Sequence, residues 1–201
     1  MWSMYRGSNP RIVPIIVTII IVAVIIAAIV ALGRALFSGN SNTATTSTTS
    51  MSTSVLDTSA NRSVQWTVRG PIVAEENFRS YQIAVSPNSR DYTVYSGYLG
   101  GVISTKNYPN NTRAYEEFVH ALVNADITNT RSATNDDMRG VCATGGIAYK
   151  FETLNATTAD QSVWSSTCNQ SKGTMAADAL RIQALFANQI PDFKPLFTSV
   201  Y

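Results

Sequence analysis

The sequence RSYQIAVSPNSRDYTVYS, residues Arg79–Ser96, carries the clearest strand pattern in this chain. Large apolar or aromatic side chains alternate with smaller polar ones on both sides of the segment Ser86–Arg90. Such alternation is typical of strands that bury one face, and Pro, Asn and Ser in the intervening segment favour a turn. The stretch therefore predicts two strands of an antiparallel sheet.

The same period of two occurs before and after this stretch. Val64, Trp66 and Val68 predict an earlier strand. After three glycines, Gly97, Gly100 and Gly101, the residues Val102 and Ile103 predict a further strand. Together these strands would form an antiparallel meander. A second hairpin with a turn near Asn155 is predicted by two groups, Ile147-Tyr149-Phe151 and Val163-Trp164-Ser165.

Two segments instead have the helical period of about 3.6 residues. The first has Thr112 as predicted N-cap, and its apolar stripe is Tyr115, Phe118, Val119, Leu122 and Val123. The second has Thr174 as predicted N-cap and ends before Pro191, with a stripe of Met175, Ala179, Ile182, Leu185, Phe186 and Gln189. The polar stretch 124–140 between them is a predicted loop. This order predicts an α+β domain, an antiparallel sheet with two helices on one face.

Charge and composition limit the function of this predicted domain. Residues 61–201 contain twelve Lys and Arg against twelve Asp and Glu, so a nucleic-acid-binding protein would lack its basic surface. The whole chain has one His and two Cys, too few for a multi-ligand zinc site or a ferredoxin-type cluster. We therefore expect no nucleic-acid partner, no metal and no cofactor.

An uncharged apolar run of 22 residues precedes the domain, between Arg11 and Arg34. As a helix it would span about 33 Å against a hydrocarbon thickness of about 30 Å, which predicts a transmembrane signal-anchor. A cleaved signal peptide is the alternative, but the run is long and no small-residue cleavage site follows it closely. Arg6 and Arg11 before the run place the N-terminus in the cytoplasm and the domain outside the cell membrane.

Within this run Ala23, Ala27 and Ala31 recur every four residues. Small residues at this spacing let two helices approach closely in lipid. The stripe predicts a parallel homodimer through the span; the alternative is a stripe that faces lipid.

Between the span and the domain, fourteen of the 23 residues 38–60 are Ser or Thr. This composition has too little apolar surface to order the chain and predicts a flexible linker. O-linked sugars are an alternative use of the hydroxyls, and Asn61, Asn110, Asn155 and Asn169 begin N-glycosylation triplets that chance also explains. The predicted organisation is a cytoplasmic N-terminus (1–11), a transmembrane helix (12–37), this linker (38–60) and an independently folding extracytoplasmic domain (61–201).

Cys142 and Cys168 are the two cysteines. In an oxidising compartment an even count favours a disulfide, which we expect to join neighbouring strands; two buried free thiols are the alternative. C-x-x-C spacing, typical of redox-active pairs, does not occur.

The order of elements and two cysteine-bearing segments, RGVCATG at Arg139–Gly145 and VWSSTCNQSKG at Val163–Gly173, resemble a family of single-pass membrane proteins. The family is an uncharacterised one of Saccharibacteria-type candidate-phylum bacteria. The resemblance implies a bacterial origin and a location at the cell surface. The family has no assigned activity that could be transferred to this chain.

His120 and the cluster Asn135–Asp137 are the other candidates for catalytic or ligand-binding groups. His120 is predicted to lie on the surface beside Glu116, and no spacing relates it to a nucleophile. Asn135, Asp136 and Asp137 lack the spacing of a calcium loop. The sequence thus predicts no catalytic residue. The strand aromatics could form an exposed binding surface, with Tyr95 and Tyr98 its candidate members, and burial in the core is the alternative.

The leading hypothesis from sequence is a non-enzymatic, membrane-anchored module that binds a surface protein or an envelope polymer. An envelope enzyme acting on wall or surface polymers is the alternative, with Glu75, Glu76, Asp136 and Asp137 as its clustered acids. A pilus-like subunit is disfavoured because the apolar run lacks an acidic residue.

Overall fold

The computed structural model describes residues 50–133, 137–142, 145–168 and 172–194. The predicted cytoplasmic N-terminus 1–11, the transmembrane helix 12–37 with Ala23, Ala27 and Ala31, and the linker up to residue 49 lie outside these ranges. None of the helices formed by the described residues has the length and apolar character needed to cross a membrane.

Six strands form one antiparallel sheet, as the alternating patterns predict. Their order across the sheet is β4-β3-β2-β1-β5-β6. The strands are β1 (Arg62–Arg69), β2 (Arg79–Val85), β3 (Ser89–Ser96), β4 (Gly101–Pro109), β5 (Ala148–Asn155) and β6 (Thr158–Ser166). The meander and the second hairpin are therefore confirmed, and β1 joins them by pairing with both β2 and β5.

One face of this sheet is the floor of the hydrophobic core. The register places Trp66 opposite Ile83 and Phe151, so the alternating side chains of three strands share that face. The Trp66 ring stacks on Tyr149 and on Phe186, a helical residue, with centroids 5.6 and 5.8 Å away. Burying such large rings supplies most of the apolar area that stabilises a domain of this size.

Three helices accompany the sheet in the described part of the chain: α1 (Met51–Leu56), α2 (Thr112–Asn124) and α3 (Ala179–Ala187). The apolar stripe of α2 is buried as predicted at Tyr115, Phe118, Val119 and Leu122. Ile182 and Phe186 of α3 are buried in the same core cluster.

The predicted N-caps of α2 and α3 were wrong. Asn111 caps α2, accepting a hydrogen bond from the backbone N–H of Ala114 at 3.0 Å, and Thr112 is the first helical residue. Asp178 caps α3, accepting from the N–H of Leu180 at 2.9 Å. A short Asn or Asp side chain next to the first turn satisfies its free N–H groups well.

Thr174 lies too far upstream to cap α3 because its segment runs beside the sheet. The Met175 N–H donates to the carbonyl of Trp164 at 2.9 Å, and Met175 forms an isolated bridge with Thr130. The predicted buried stripe also ends differently: Gln189 follows the helix and is half-buried, whereas Ile190 is buried.

Helix α1 occupies the end of the segment in which we expected a flexible linker. Ser50 caps it by accepting from the N–H of Thr53, and Val55 is completely buried in the core cluster. The Ser/Thr-rich composition hid this helix because Val55 is one apolar residue among many polar ones. The folded domain therefore begins near Ser50 and not at Asn61.

Candidate binding surface

The strand register defines two ends of the sheet. At one end, which we call the entry end, Arg62 of β1 lies opposite Asn155 of β5, and α1 leads the chain in. At the other, the tip end, Arg69 lies opposite both Ser80 and Ala148. The β1–β2 loop and the β3–β4 turn both emerge at the tip end.

Large apolar side chains are exposed at the tip end. Leu99 in the β3–β4 turn is 96% exposed, and Val102 at the start of β4 is 63% exposed. Eight large apolar residues are exposed in the described chain, and six of them belong to these two loops and the start of β4. We call these six residues the tip patch: Ile72, Val73, Tyr98, Leu99, Val102 and Ile103. Exposed apolar side chains gathered at one end of a domain, instead of scattered singly, favour an interaction site.

Tyr98 joins the two loops that carry the patch. Its hydroxyl donates to the carbonyl of Val73 at 2.6 Å and accepts from the N–H of the same residue at 3.0 Å. Its ring stacks on Phe78 with centroids 4.1 Å apart. These contacts hold the two loops in one arrangement, so the patch is preorganised.

The turn that presents Leu99 depends on Glu75 and Gly97. The Glu75 carboxylate accepts from the backbone N–H of Tyr98 at 3.0 Å. Gly97 has φ of +68°, and a Cβ atom there would lie 2.1 Å from the same carboxylate. The positive φ favours glycine at this position, and a side chain there would have to displace Glu75. Glu75, a candidate acid of the envelope-enzyme alternative, thus holds the turn.

Tyr95 and Tyr98, the two residues predicted on a binding surface, lie in different surroundings. Tyr98 belongs to the tip patch and is 43% exposed. Tyr95 is half-buried on the face of the sheet away from the core, and its hydroxyl donates to Gln82 at 2.9 Å. It borders the patch because its partner in the register is Val102. That either residue binds a ligand stays a prediction.

Cys142 and Cys168 lie at the tip end at disulfide distance, as predicted, with Sγ atoms 2.04 Å and Cα atoms 5.6 Å apart. Their expected placement on neighbouring strands was wrong. Cys142 lies in a turn before β5, and Cys168 follows the end of β6. The bond closes the open end of the β5–β6 hairpin just beyond Ile147 and Thr167, whose backbones pair at 3.0 Å.

Gly146 makes room for this disulfide. Its φ is +117°, and a Cβ atom there would lie 2.5 Å from the Sγ of Cys168 and 3.1 Å from that of Cys142. The absence of a side chain at Gly146 thus allows the backbone to approach the bond closely.

The remaining candidate groups do not form a site in the described residues. Asn135 and Asp136 lie outside the described ranges, and Asp137 pairs with Arg139. The side-chain and backbone hydrogen bonds from Arg139 lower the pKa of the Asp137 carboxyl. His120 is exposed on α2, and no group of three or more His, Cys, Asp or Glu side chains in these ranges is arranged to hold a metal ion.

A buried charge cluster at the entry end was missed from the sequence. Arg62 is 5% exposed and donates to Asp160 at 2.8 Å and to the Ser54 carbonyl of α1 at 3.0 Å. Its Nε lies 3.4 Å from Asp57. Arg62 therefore ties α1 to β1 and β6, and no local pattern in the sequence indicates it.

The carboxyl groups of this cluster are held in their charged form. Burial by itself raises the pKa of Asp160. Hydrogen bonds from Thr153 and Arg62 lower it by more than burial raises it, so the net pKa is below its usual value. The pKa of Asp57 is lowered by the backbone N–H and side chain of Ser59 and by the charge of Arg62. Opposite charge and hydrogen bonding both favour the ionised form.

Sequence reasoning also missed most of the tip patch. Ile72 and Val73 follow Gly70 and Pro71 in a stretch without strand or helix period. Leu99 stands between Tyr98 and Gly100 in a turn that is otherwise rich in glycine. A large apolar residue in such a turn is the signal that would have indicated an exposed contact.

In comparisons with protein-family models and with curated proteins, this chain matches none of them.

Proposed function

We propose that this protein is a membrane-anchored, non-catalytic module that binds a protein or polymer at the cell surface through the tip patch. The observation that carries the proposal is the group of exposed apolar residues at the end of the sheet opposite to α1. Exposing these side chains to water costs free energy, about 25 cal/mol for each Å² of apolar area, which a binding partner would recover.

Two further features of the tip support this interpretation. The patch is held by Tyr98 and Glu75, so binding would require little ordering of the loops. Leu99 also offers an apolar contact, and the neighbouring Tyr98 offers an aromatic ring of the kind enriched at protein interfaces.

The anchor in this proposal rests on the sequence. The apolar run between Arg11 and Arg34 would hold the protein in the cell membrane as a single-pass helix, with the N-terminus in the cytoplasm and the domain outside. The described chain begins with α1 at the entry end, so the tip patch lies at the opposite end of the sheet from α1. A dimer through Ala23, Ala27 and Ala31 would present two tips and raise avidity.

A comparison of two leucine substitutions tests the role of the tip. The full chain is purified in detergent, immobilised and incubated with a cell-envelope fraction from the organism that produces it. Leu99→Ser should reduce capture of envelope components by about tenfold, the cost of losing one buried leucine in an interface. Captured material is measured by quantitative gel analysis and by carbohydrate assay.

Leu180→Ser is the matched control, because Leu180 is 64% exposed on α3 and does not belong to the patch. Both substitutions are on the surface and should change stability by less than about 0.5 kcal/mol. If the two variants capture the same amount of material as the unchanged chain, the tip patch is not the binding surface.

A further inference from the structure

A concave surface lies on the helix side of the sheet, beside the edge strand β4. It is a groove of about 390 Å³ lined by Tyr92, Lys106, Ile190, Asp192, Phe193 and Lys194. This volume falls within the range of about 300 to 1,000 Å³ that small-molecule sites occupy. The groove shares no lining residue with the tip patch.

The apolar wall of the groove is fixed by packing. The ring of Phe193 lies edge-on to Tyr92 and to Tyr81, with centroids 5.4 and 5.8 Å away. The hydroxyl of Tyr108 donates to the carbonyl of Pro191 at 3.3 Å. The turn that follows α3 is thus attached to β2, β3 and β4. These contacts fix the shape of the groove that lies between the turn and the strands.

Two lysines lie above this wall. Lys106 is opposite Tyr92 in the register, so its side chain lies on the helix side of the sheet although the residue is exposed. Lys194 is also exposed, and in the described ranges neither lysine takes part in an ion pair. With Asp192 the groove carries a net charge of +1, counted as two lysines less one aspartate.

We propose that this groove binds an oxyanion, a carboxylate or a phosphate, carried on an apolar or aromatic body. The ammonium groups of Lys106 and Lys194 would donate charge-assisted hydrogen bonds to the oxyanion. Tyr92 and Phe193 would contact the apolar body. The single excess positive charge favours ligands with one or two negative charges over strongly anionic polymers.

The test measures binding of a fluorescent probe of this chemistry to the full chain in detergent. The probe is anilinonaphthalene sulfonate, an oxyanion on an aromatic body, and N-phenylnaphthylamine is its neutral counterpart. Lys106→Gln and Lys194→Gln should each weaken binding of the sulfonate about tenfold, as expected for a lost charge-assisted hydrogen bond. They should leave binding of the neutral probe unchanged. Each affinity is measured by fluorescence titration at fixed ionic strength.

Two controls make the result specific. Lys172→Gln removes an exposed lysine that does not line the groove, so it should leave binding of the sulfonate unchanged. Leu99→Ser changes the tip patch, so any loss of binding in this variant identifies probe bound there. Displacement of the sulfonate by benzoate or by phenyl phosphate distinguishes a carboxylate ligand from a phosphate ligand. The proposal is overturned if the three lysine variants bind alike, or if neither competitor displaces the probe.

Discussion

The two ends of the sheet differ in what they bury and what they expose. At the entry end a charged residue, Arg62, is almost fully buried among Asp57, Asp160 and the Ser54 carbonyl. At the tip end an apolar residue, Leu99, is almost fully exposed. Each arrangement is the opposite of the usual preference of its residue type.

The two exceptions have different physical consequences. A buried charge is tolerated only when its partners are in place, so the entry end depends on α1 for its stability. An exposed leucine does not contribute to stability in this way, and changing it should leave folding intact. The entry end therefore depends on a buried charge cluster, whereas the tip end exposes apolar side chains whose removal should not unfold the domain.

Replacing Arg62 by Ala should have the largest effect. The change leaves Asp160 in a partly buried position without its guanidinium partner and loosens α1, so we expect the unfolding free energy to fall by about 3 kcal/mol. The measurement is urea denaturation of the fragment Ser50–Tyr201, whose folding is first verified by circular dichroism.

Arg113→Ala is the control for this change. Arg113 pairs with Glu117 at 3.3 Å, but both side chains are exposed. An exposed pair of this kind contributes about 0.5 kcal/mol or less. Equal losses in the two variants would mean that burial at the entry end does not strengthen its charge cluster.

Removing the disulfide should have the next largest effect and acts on the tip end. The double change Cys142→Ser and Cys168→Ser opens a loop with a sequence separation of 26 residues. In the chain-entropy account this costs about 3 kcal/mol, less any strain relieved in the folded state. Thermal unfolding with and without reductant measures the loss. An unchanged unfolding temperature under reducing conditions would contradict the prediction.

Acid should produce a smaller loss, and that loss belongs to the entry end. The pKa values of Asp57 and Asp160 are lowered in the folded state, so their contribution to stability is complete above the unfolded value of about 4. It is lost as pH falls through the folded values. Unfolding free energies measured between about pH 7 and pH 2 should therefore decline below about pH 4.

The Arg62→Ala variant shows whether this acid response comes from the cluster. Without the guanidinium the pKa of Asp160 should rise toward its ordinary value, whereas the pKa of Asp57 is still lowered by Ser59, so the decline should become shallower but should not disappear. If the variant and the unchanged fragment lose stability in parallel, other carboxyls determine the acid response.

The sheet could be predicted because its strands follow a local rule. Tyr81, Ile83 and Val85 alternate with smaller or polar residues, and backbone geometry sends alternate side chains to opposite faces. The stripe of α2 follows from the helical period in the same way. The caps were predicted less accurately because Asn111 and Thr112 are both good capping residues, and the backbone conformation chooses between them.

Helix α1 could not be predicted from local rules. Its sequence, MSTSVL, continues a Ser/Thr-rich segment and has no long apolar stripe. It is ordered because Val55 enters the core and because Arg62, across a bend in the chain, donates to its backbone. Both contacts depend on residues outside the helix.

The α+β class, the antiparallel meander and the apolar stripe of α2 could all be predicted from the sequence, and it favoured the pairing of Cys142 with Cys168 over two free thiols. These follow from periodicity, from turn residues and from an even cysteine count. The burial of Arg62 and the contact between Val73 and Tyr98 in the exposed tip patch are visible only in the folded domain. The physical reason is that burial and exposure are set by which distant segments pack together, whereas a periodic pattern reports only the geometry of the segment that contains it.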